Sequence, residues 1–297
     1  MAGKLLPILQ DVGPFKLATS FPQEHVLQAL AYKHQPGEIF IATYPKNGTT
    51  WTQQLVYSIL NDGGSATASL LVETFIEMSG LVAASGDVKA AMKTHIPPDL
   101  LWENCHPQAK YIVVVRNPKD TCVSFFYHTT GMPHFGFQDG EFDVFFDLFV
   151  DGEVEYGDYF KWITALLPHR HDDNVLFLTY ESMKQDTEAA VHKIARFLST
   201  EREDYGNRFL CDSEYRNRIL KHSSVLHMRS KINEDMKIQL ALGNAQEVPL
   251  EFVRKGQVND HKNHMSEEQS ERLSSKFKTF AELHPDLMTI WDDYSWL

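Results

Sequence analysis

Three short apolar runs constrain the fold of this chain more than any other feature: residues 39–44 (IFIATY), 111–115 (YIVVV) and 175–180 (VLFLTY). Each is rich in β-branched or aromatic residues and gives way to polar or turn-forming ones, as buried strands do. A weaker fourth candidate, 90–95 (AAMKTH), is stopped by Pro97 and Pro98. Helical patterns lie between and after the runs, at about 49–61, 119–129, 142–149, 185–199 and 267–283. Strands without polar alternation, interleaved with helices, predict an α/β fold whose mostly parallel central sheet is covered on both faces. The 297 residues are enough for one such domain, and we expect a single domain over 1–297. Ligands of such sheets sit beyond the C-terminal ends of the strands. If the four strands are neighbours, Lys46, His95, Arg116 and Tyr180 share one edge.

The loop after the first run, PKNGTTW at 45–51, has the character of a phosphate loop without the Walker A order, because Lys46 precedes the only glycine, Gly48. Gly48 permits a sharp turn, and Thr49 or Thr50 is expected to cap the following helix. A helix N-terminus with a lysine beside it suits an anion. From the loop alone, a strand–turn–helix with a surface lysine fits equally well. A second anion site is written at 113–124 (VVVRNPKDTCVS). There Asn117 is a good N-cap, Pro118 suits the first helical position, and Arg116 can hold a phosphate with two hydrogen bonds. A third basic cluster is FVRKG at 252–256.

The formal net charge of −12 argues against a nucleic-acid backbone as partner, while leaving room for local anion sites. Three scattered cysteines show neither a disulfide framework nor zinc spacing. The start of the chain is too short and too interrupted an apolar stretch for a signal peptide, and no run reaches membrane-spanning length. A cytoplasmic protein with no membrane partner is the expectation.

Taken together, TYPKNGTTW (43–51), KTHIP (93–97), VRNPKDTCVSFFYH (115–128), LTYE (178–181) and RKGQVNDHKNHM (254–265) resemble the cytosolic sulfotransferase family, in its order and spacing. The resemblance implies a loop, P-loop-like in character, that holds the 5′-phosphosulfate of 3′-phosphoadenosine 5′-phosphosulfate. The sulfuryl group would pass to a hydroxyl or amine of a small, aromatic or steroid-like acceptor, leaving adenosine 3′,5′-bisphosphate. On this resemblance Lys46, Asn47, Gly48, Thr49 and Thr50 surround the 5′ end and Trp51 stacks on adenine. Arg116 and Ser124 hold the 3′-phosphate, Arg254, Lys255 and Gly256 close over it, and Tyr180 contacts the adenine side. Ser223, Ser224 and Val225, in HSSVLHM, belong to a further cofactor-binding segment. His95 is the expected general base, with Lys46 and Lys93 positioning the transferred group and offsetting charge. No metal is expected, since positioning and charge neutralisation carry chemistry of this kind.

The chain departs from the family's pattern at several places. Val225 stands where an aromatic is usual, which weakens stacking on that side. In the last motif Asn259 replaces a glycine, His261 a tryptophan and Met265 a phenylalanine. Asn259 tolerates positive φ, but His261 is expected to pack less firmly and to let the loop open without cofactor. The family's dimer segment begins at Lys262, with Ser266 and Glu267 in place of its Thr-Val pair, so a homodimer is open to question.

Nine of the 19 phenylalanines fall between 125 and 160. Phe142, Phe145, Phe146 and Phe149 lie on one helix face and are expected in the core. Phe126, Met132, Phe135 and Phe137 are expected to line the acceptor pocket, beside Lys93 and His95. Two other functions compete: a non-catalytic nucleotide-binding interaction protein, motivated by the changes at 225, 259 and 261, and a nucleotide kinase. Lys46 is misplaced for the kinase, and no clear magnesium-binding acid follows a strand.

Overall fold

A computed structural model of the chain describes residues 4–84, 90–242, 251–293 and 295–297. A small antiparallel hairpin comes first, β1 (Leu9–Val12) against β2 (Phe15–Ala18), turning at Gly13 with φ 58°. Four further strands form the central sheet: β3 (Ile39–Ala42), β4 (Met92–Thr94), β5 (Lys110–Val115) and β6 (Val175–Thr179). Their order is β4-β3-β5-β6, and every pairing is parallel.

Successive side chains of these strands enter two different cores. Phe40, Ala42, Tyr111, Val113 and Val115 face one; Ile41, Ile112, Val114 and Leu178 face the other. Side chains of a strand alternate between faces, so a sheet covered on both sides requires apolar residues at every position. That is the reason the strands read as unbroken apolar runs. On one face lie the helices Thr49–Leu60 and Thr187–Leu198, which contribute Leu55, Ile59, Val191 and Ile194. On the other lie Phe142–Asp151 and Tyr159–Leu166, with Phe145, Phe146, Phe149 and Trp162 buried. The expected core face of 142–149 is thus found, with Phe142 partly buried at its end.

The boundaries differ from expectation by one or two residues, with local causes. The first strand of the sheet stops at Ala42, where Tyr44 and Asn47 form a turn (Asn47 N–H to Tyr44 O, 3.3 Å). The last stops at Thr179, whose side chain caps the helix Tyr180–Gln185, so Tyr180 opens a helix rather than ending a strand. The helix Pro118–Gly131 is capped by Asn117, whose side chain accepts from Lys119 N–H at 2.8 Å. Ser266 is the N-cap of Glu267–Leu283 and makes a capping box with Gln269.

Candidate functional site

The strand order brings Lys46, His95, Arg116 and Tyr180 to the same C-terminal edge, and all four line one cavity. The loop after β3 is shaped by backbone that most residues avoid. Lys46 has φ 70° and Gly48 φ 94°. A Cβ on Gly48 would lie 2.8 Å from Cδ2 of Tyr180, so glycine is required by conformation and by space. Gly48, not a threonine, occupies the N-cap position of Thr49–Leu60 and offers no side-chain cap. The expected threonine cap fails because Thr49 and Thr50 already lie inside the helix, and Thr49 Oγ1 pairs with Thr43 Oγ1 (2.6 Å). The first N–H groups of the helix therefore keep their anion-binding capacity.

Arg116 ties this end together. Its guanidinium donates to the carbonyls of Lys46 (3.3 Å) and Gln257 (2.9 Å) and lies 4.5 Å from the centre of the Tyr180 ring. Trp51 meets Tyr180 edge to face at 5.5 Å, and Lys184, which the sequence reading passed over, sits 5.4 Å from the Trp51 ring. Ser124 lines the same cavity. Asn47 is buried behind the loop, accepting from Thr121 Oγ1 at 2.9 Å. Ser223 and Ser224 turn their hydroxyls to the carbonyls of Ile219 and Lys221, and of that segment Val225 reaches the cavity.

The loop carrying Arg254, Lys255 and Gly256 is anchored rather than loose. Asp120 accepts from Asn259 N–H (2.7 Å), His261 N–H (3.0 Å) and His261 Nδ1–H (2.8 Å). His261 is 3% exposed, so the expectation that it packs poorly is overturned. An imidazole donor has a carboxylate waiting for it in the first turn of Pro118–Gly131, which apolar area alone does not reveal. Asn259 adopts φ 62° and keeps the turn. Arg254 and Lys255 are held by Asp260 at 2.7 and 2.8 Å, and Arg254 stacks on Tyr127 at 4.5 Å. A Cβ on Gly256 would meet Val225 at 2.7 Å.

His95 stands one residue past β4. Its Nδ1–H donates to the Thr43 carbonyl at 2.7 Å, its own N–H donates to Glu77 Oε1 at 2.7 Å, and its carbonyl accepts from Trp162 Nε1–H at 3.1 Å. The ring lies between Phe75 (5.2 Å) and Tyr156 (5.3 Å). Nε2 is left with its lone pair. Burial, then Lys93, lowers the imidazole pKa to about 3, so it is neutral in the free protein. Burial also lowers Lys46 to about 7, helped by Arg116 and Lys93, and lowers Lys93 to about 8 against the pull of Glu77.

Beyond His95 the cavity is walled by Phe21, Leu71, Phe75, Met78, Met132 and Phe252. Only Met132 of the four expected pocket residues is among them. Phe135 and Phe137 are buried in the core, and Phe126 packs on Phe142 and Phe145. The aromatic type at those positions serves packing between helices, not the cavity. Phe21, Phe75, Tyr156 and Phe252 come from segments without periodic pattern, and of the four only Phe252 lies in a motif read from the sequence, the cluster at 252–256.

Residues 36–288 match the family model described as the sulfotransferase domain. Mouse sulfotransferase 1B1 is 31% identical over 264 residues, covering 83% of each chain. Human sulfotransferase 1E1 is 30% identical over 267 residues, covering 84% of this chain and 85% of its own. The luciferin sulfotransferase of Photinus pyralis is 30% identical over 270 residues, 80% of this chain and 70% of its own. Among solved structures, mouse sulfotransferase SULT7A1 complexed with PAP aligns with a TM-score of 0.73 at 24% identity, over 95% of this chain and 98% of that one. Retinol dehydratase in complex with androsterone and inactive cofactor PAP aligns at 0.72 and 21% identity, over 91% and 88%.

Proposed function

The chain belongs to the sulfotransferase family, and from that premise we infer that it moves the sulfuryl group of 3′-phosphoadenosine 5′-phosphosulfate to a hydroxyl or amine of a small acceptor. One observation supports an anionic donor above the rest. Among the described residues, the cavity is lined by six basic side chains (Lys46, Lys93, Arg116, Lys184, Arg254 and Lys255) against two acids (Glu155 and Glu251), in a chain whose net charge is −12. Such local inversion of charge concentrates a small anion. Gly48 and Gly256 let Tyr180 and Val225 pack directly against the loop backbone, where a Cβ would collide with them, and so hold both loops in turns with φ 94° and 61°.

In this reading Lys46, Gly48, Thr49 and Thr50 receive the 5′ end while Asn47 holds the loop from behind, Trp51 and Tyr180 receive the adenine, and Arg116, Ser124, Arg254, Lys255 and Gly256 the 3′-phosphate. Ser223 and Ser224 act by fixing the start of the segment that presents Val225. The acceptor hydroxyl gives its proton to His95 Nε2, and its oxygen forms a bond to sulfur. The bond from sulfur to the 5′-phosphate oxygen breaks, and the electron pair stays on that oxygen as adenosine 3′,5′-bisphosphate leaves. Lys46 and Lys93 offset the charge that develops there. Thr43 holds the imidazole in the tautomer that can accept the proton. The reading takes the chain as one domain located in the cytoplasm. Among the described residues no helix is long and apolar enough to cross a membrane.

Transfer of labelled sulfate from the donor to a panel of phenols, steroids and amines tests the reaction. Labelled product with at least one class is the expected result. Nucleotide binding without product on any acceptor would favour a non-catalytic role.

A further inference from the structure

Two buried carboxyls, Glu77 and Glu155, lie in this region, and they are used differently. Glu77 is 0% exposed, accepts from His95 N–H (2.7 Å) and Thr94 Oγ1 (3.1 Å), and takes no part in the cavity wall. It is a clamp on the strand end. Glu155 is 5% exposed and lines the cavity. Its Oε1 accepts from Ala18 N–H at 2.7 Å, and among the described residues Oε2 has no hydrogen bond and Glu155 no ion pair. Glu251, the other acid of the lining, is exposed and paired with Arg229 at 2.7 Å. Among the described residues, Glu155 is therefore the single carboxyl that faces the interior of this cavity.

A carboxyl in such surroundings is costly unless something bonds to it. Burial raises it to about 7, while the Lys46 ammonium pulls it back toward ionisation. A second observation concerns the backbone. The next residue, Tyr156, is a bulky side chain at φ 59°, a conformation that persists only where the surroundings enforce it. Tyr156 N–H donates to the Lys16 carbonyl (3.2 Å), and the Tyr44 hydroxyl donates to the Gly157 carbonyl (2.8 Å). The outcome is that Glu155 and Tyr156 both present themselves to the cavity, beside the apolar walls of Phe21, Phe75 and Met132.

Resting on the sulfotransferase reading, we propose that Glu155 is an acceptor-recognition residue and that the preferred acceptor is a phenol or alcohol bearing a protonated amine on a short arm. The ring fits the apolar walls, the hydroxyl meets His95, and the ammonium donates to Glu155 Oε2. Donor binding strengthens the arrangement, because the nucleotide phosphates engage Lys46 and leave Glu155 to the acceptor.

The test compares 4-(aminoalkyl)phenols of one to three methylenes with 4-alkylphenols of the same length. Wild-type protein is expected to favour the best amine in kcat/KM by about tenfold or more, as a hydrogen bond to a charged group does. Glu155→Gln should remove most of that preference, chiefly through KM, with a far smaller change for the alkylphenols. Any effect relayed through Lys46 would lower both acceptors together, so the ratio isolates the contact. Glu155→Asp, which keeps the charge, should retain part of the preference and covers the case in which Glu155→Gln folds poorly. Equal turnover of both acceptor series by wild type, or an equal loss of both in the variants, would overturn the proposal while leaving the reaction intact. Amine binding without sulfate transfer, seen by calorimetry with adenosine 3′,5′-bisphosphate present, would instead uphold the subsite and sink the reaction. Neither binding nor transfer would refute both.

Discussion

At the donor end of the cavity, Lys46, Arg116 and Tyr180 each follow the C-terminal end of a strand, within four residues of it. At the acceptor end, Phe21, Phe75, Met132, Tyr156 and Phe252 come from irregular stretches spread over more than two hundred residues. The first set is positioned by the sheet itself, through backbone turns that demand glycine, proline or a capping asparagine. The second is positioned by how separate segments happen to pack. On the proposed reading, donor binding would be tied to the sheet and choice of acceptor to the irregular segments around it. His95 stands at the junction, fixed by the sheet and walled by aromatic rings.

If that division is sound, breaking the junction should separate binding from turnover. His95→Ala is expected to lower turnover about 10²–10⁴-fold while nucleotide affinity, read by calorimetry, stays nearly unchanged. Near-normal turnover would remove His95 as the base. The donor end should also be organised before any ligand arrives. Amides of 251–265 are expected to exchange slowly in the free protein, because Asp120 anchors Asn259 and His261. Asp120→Ala leaves three donors without that acceptor, and should cost about 3 kcal/mol and speed exchange there. Fast exchange in the unmodified protein would contradict the anchoring.

Selectivity at the donor end can be read with ligands alone. Adenosine 3′,5′-bisphosphate at about a hundred times its Kd should stabilise the protein by about 2.7 kcal/mol. ATP should give a smaller shift in Tm, lacking the 3′-phosphate; equal shifts would refute the site assigned to Arg116 and Ser124. The smallest effect concerns pH. With Lys46 lowered from 10.5 to about 7, the free protein loses this ammonium as pH rises past 7. An anion prefers the protonated form, so nucleotide affinity should weaken above pH 7, with proton uptake on binding at pH 8. For the free fold the sign is opposite. Between pH 7 and 10.5 the unfolded chain holds the proton that the folded one has released, so this group's contribution to stability rises with pH. Binding heats at pH 8 that do not vary with buffer ionisation enthalpy would rule out the uptake.

The same division explains what could be read from the residues. The strands were legible because burial on both faces leaves no polar alternation, and the Asn117 cap and Gly48 turn because each needs a particular residue type. The hairpin was not, since its four-residue strands carry Gln10, Asp11 and Lys16. The helix Tyr205–Cys211 is only seven residues long and Ser213–His222 is largely polar outside a few core contacts, though Asp204 and Asp212 cap them and were readable signals. Phe135 and Phe137 were misplaced because an aromatic residue in a segment without period does not announce which side it faces. The role of His261 was missed because its partner, Asp120, lies 141 residues away.

The hairpin at the start of the chain has one further consequence, for the order in which the molecule assembles. Its contacts with the segment that carries two cavity residues join Ala18 to Glu155 and Lys16 to Tyr156, and the residue just before it, Ile8, bonds to core residue Phe135. Each of these partners lies more than a hundred residues further along the chain. Loop closure over 137 residues is slow compared with forming a helix or a local turn. The part that chooses the acceptor is thus completed late in folding, and until then the nascent chain carries exposed strand edges that nothing nearby in sequence can cover.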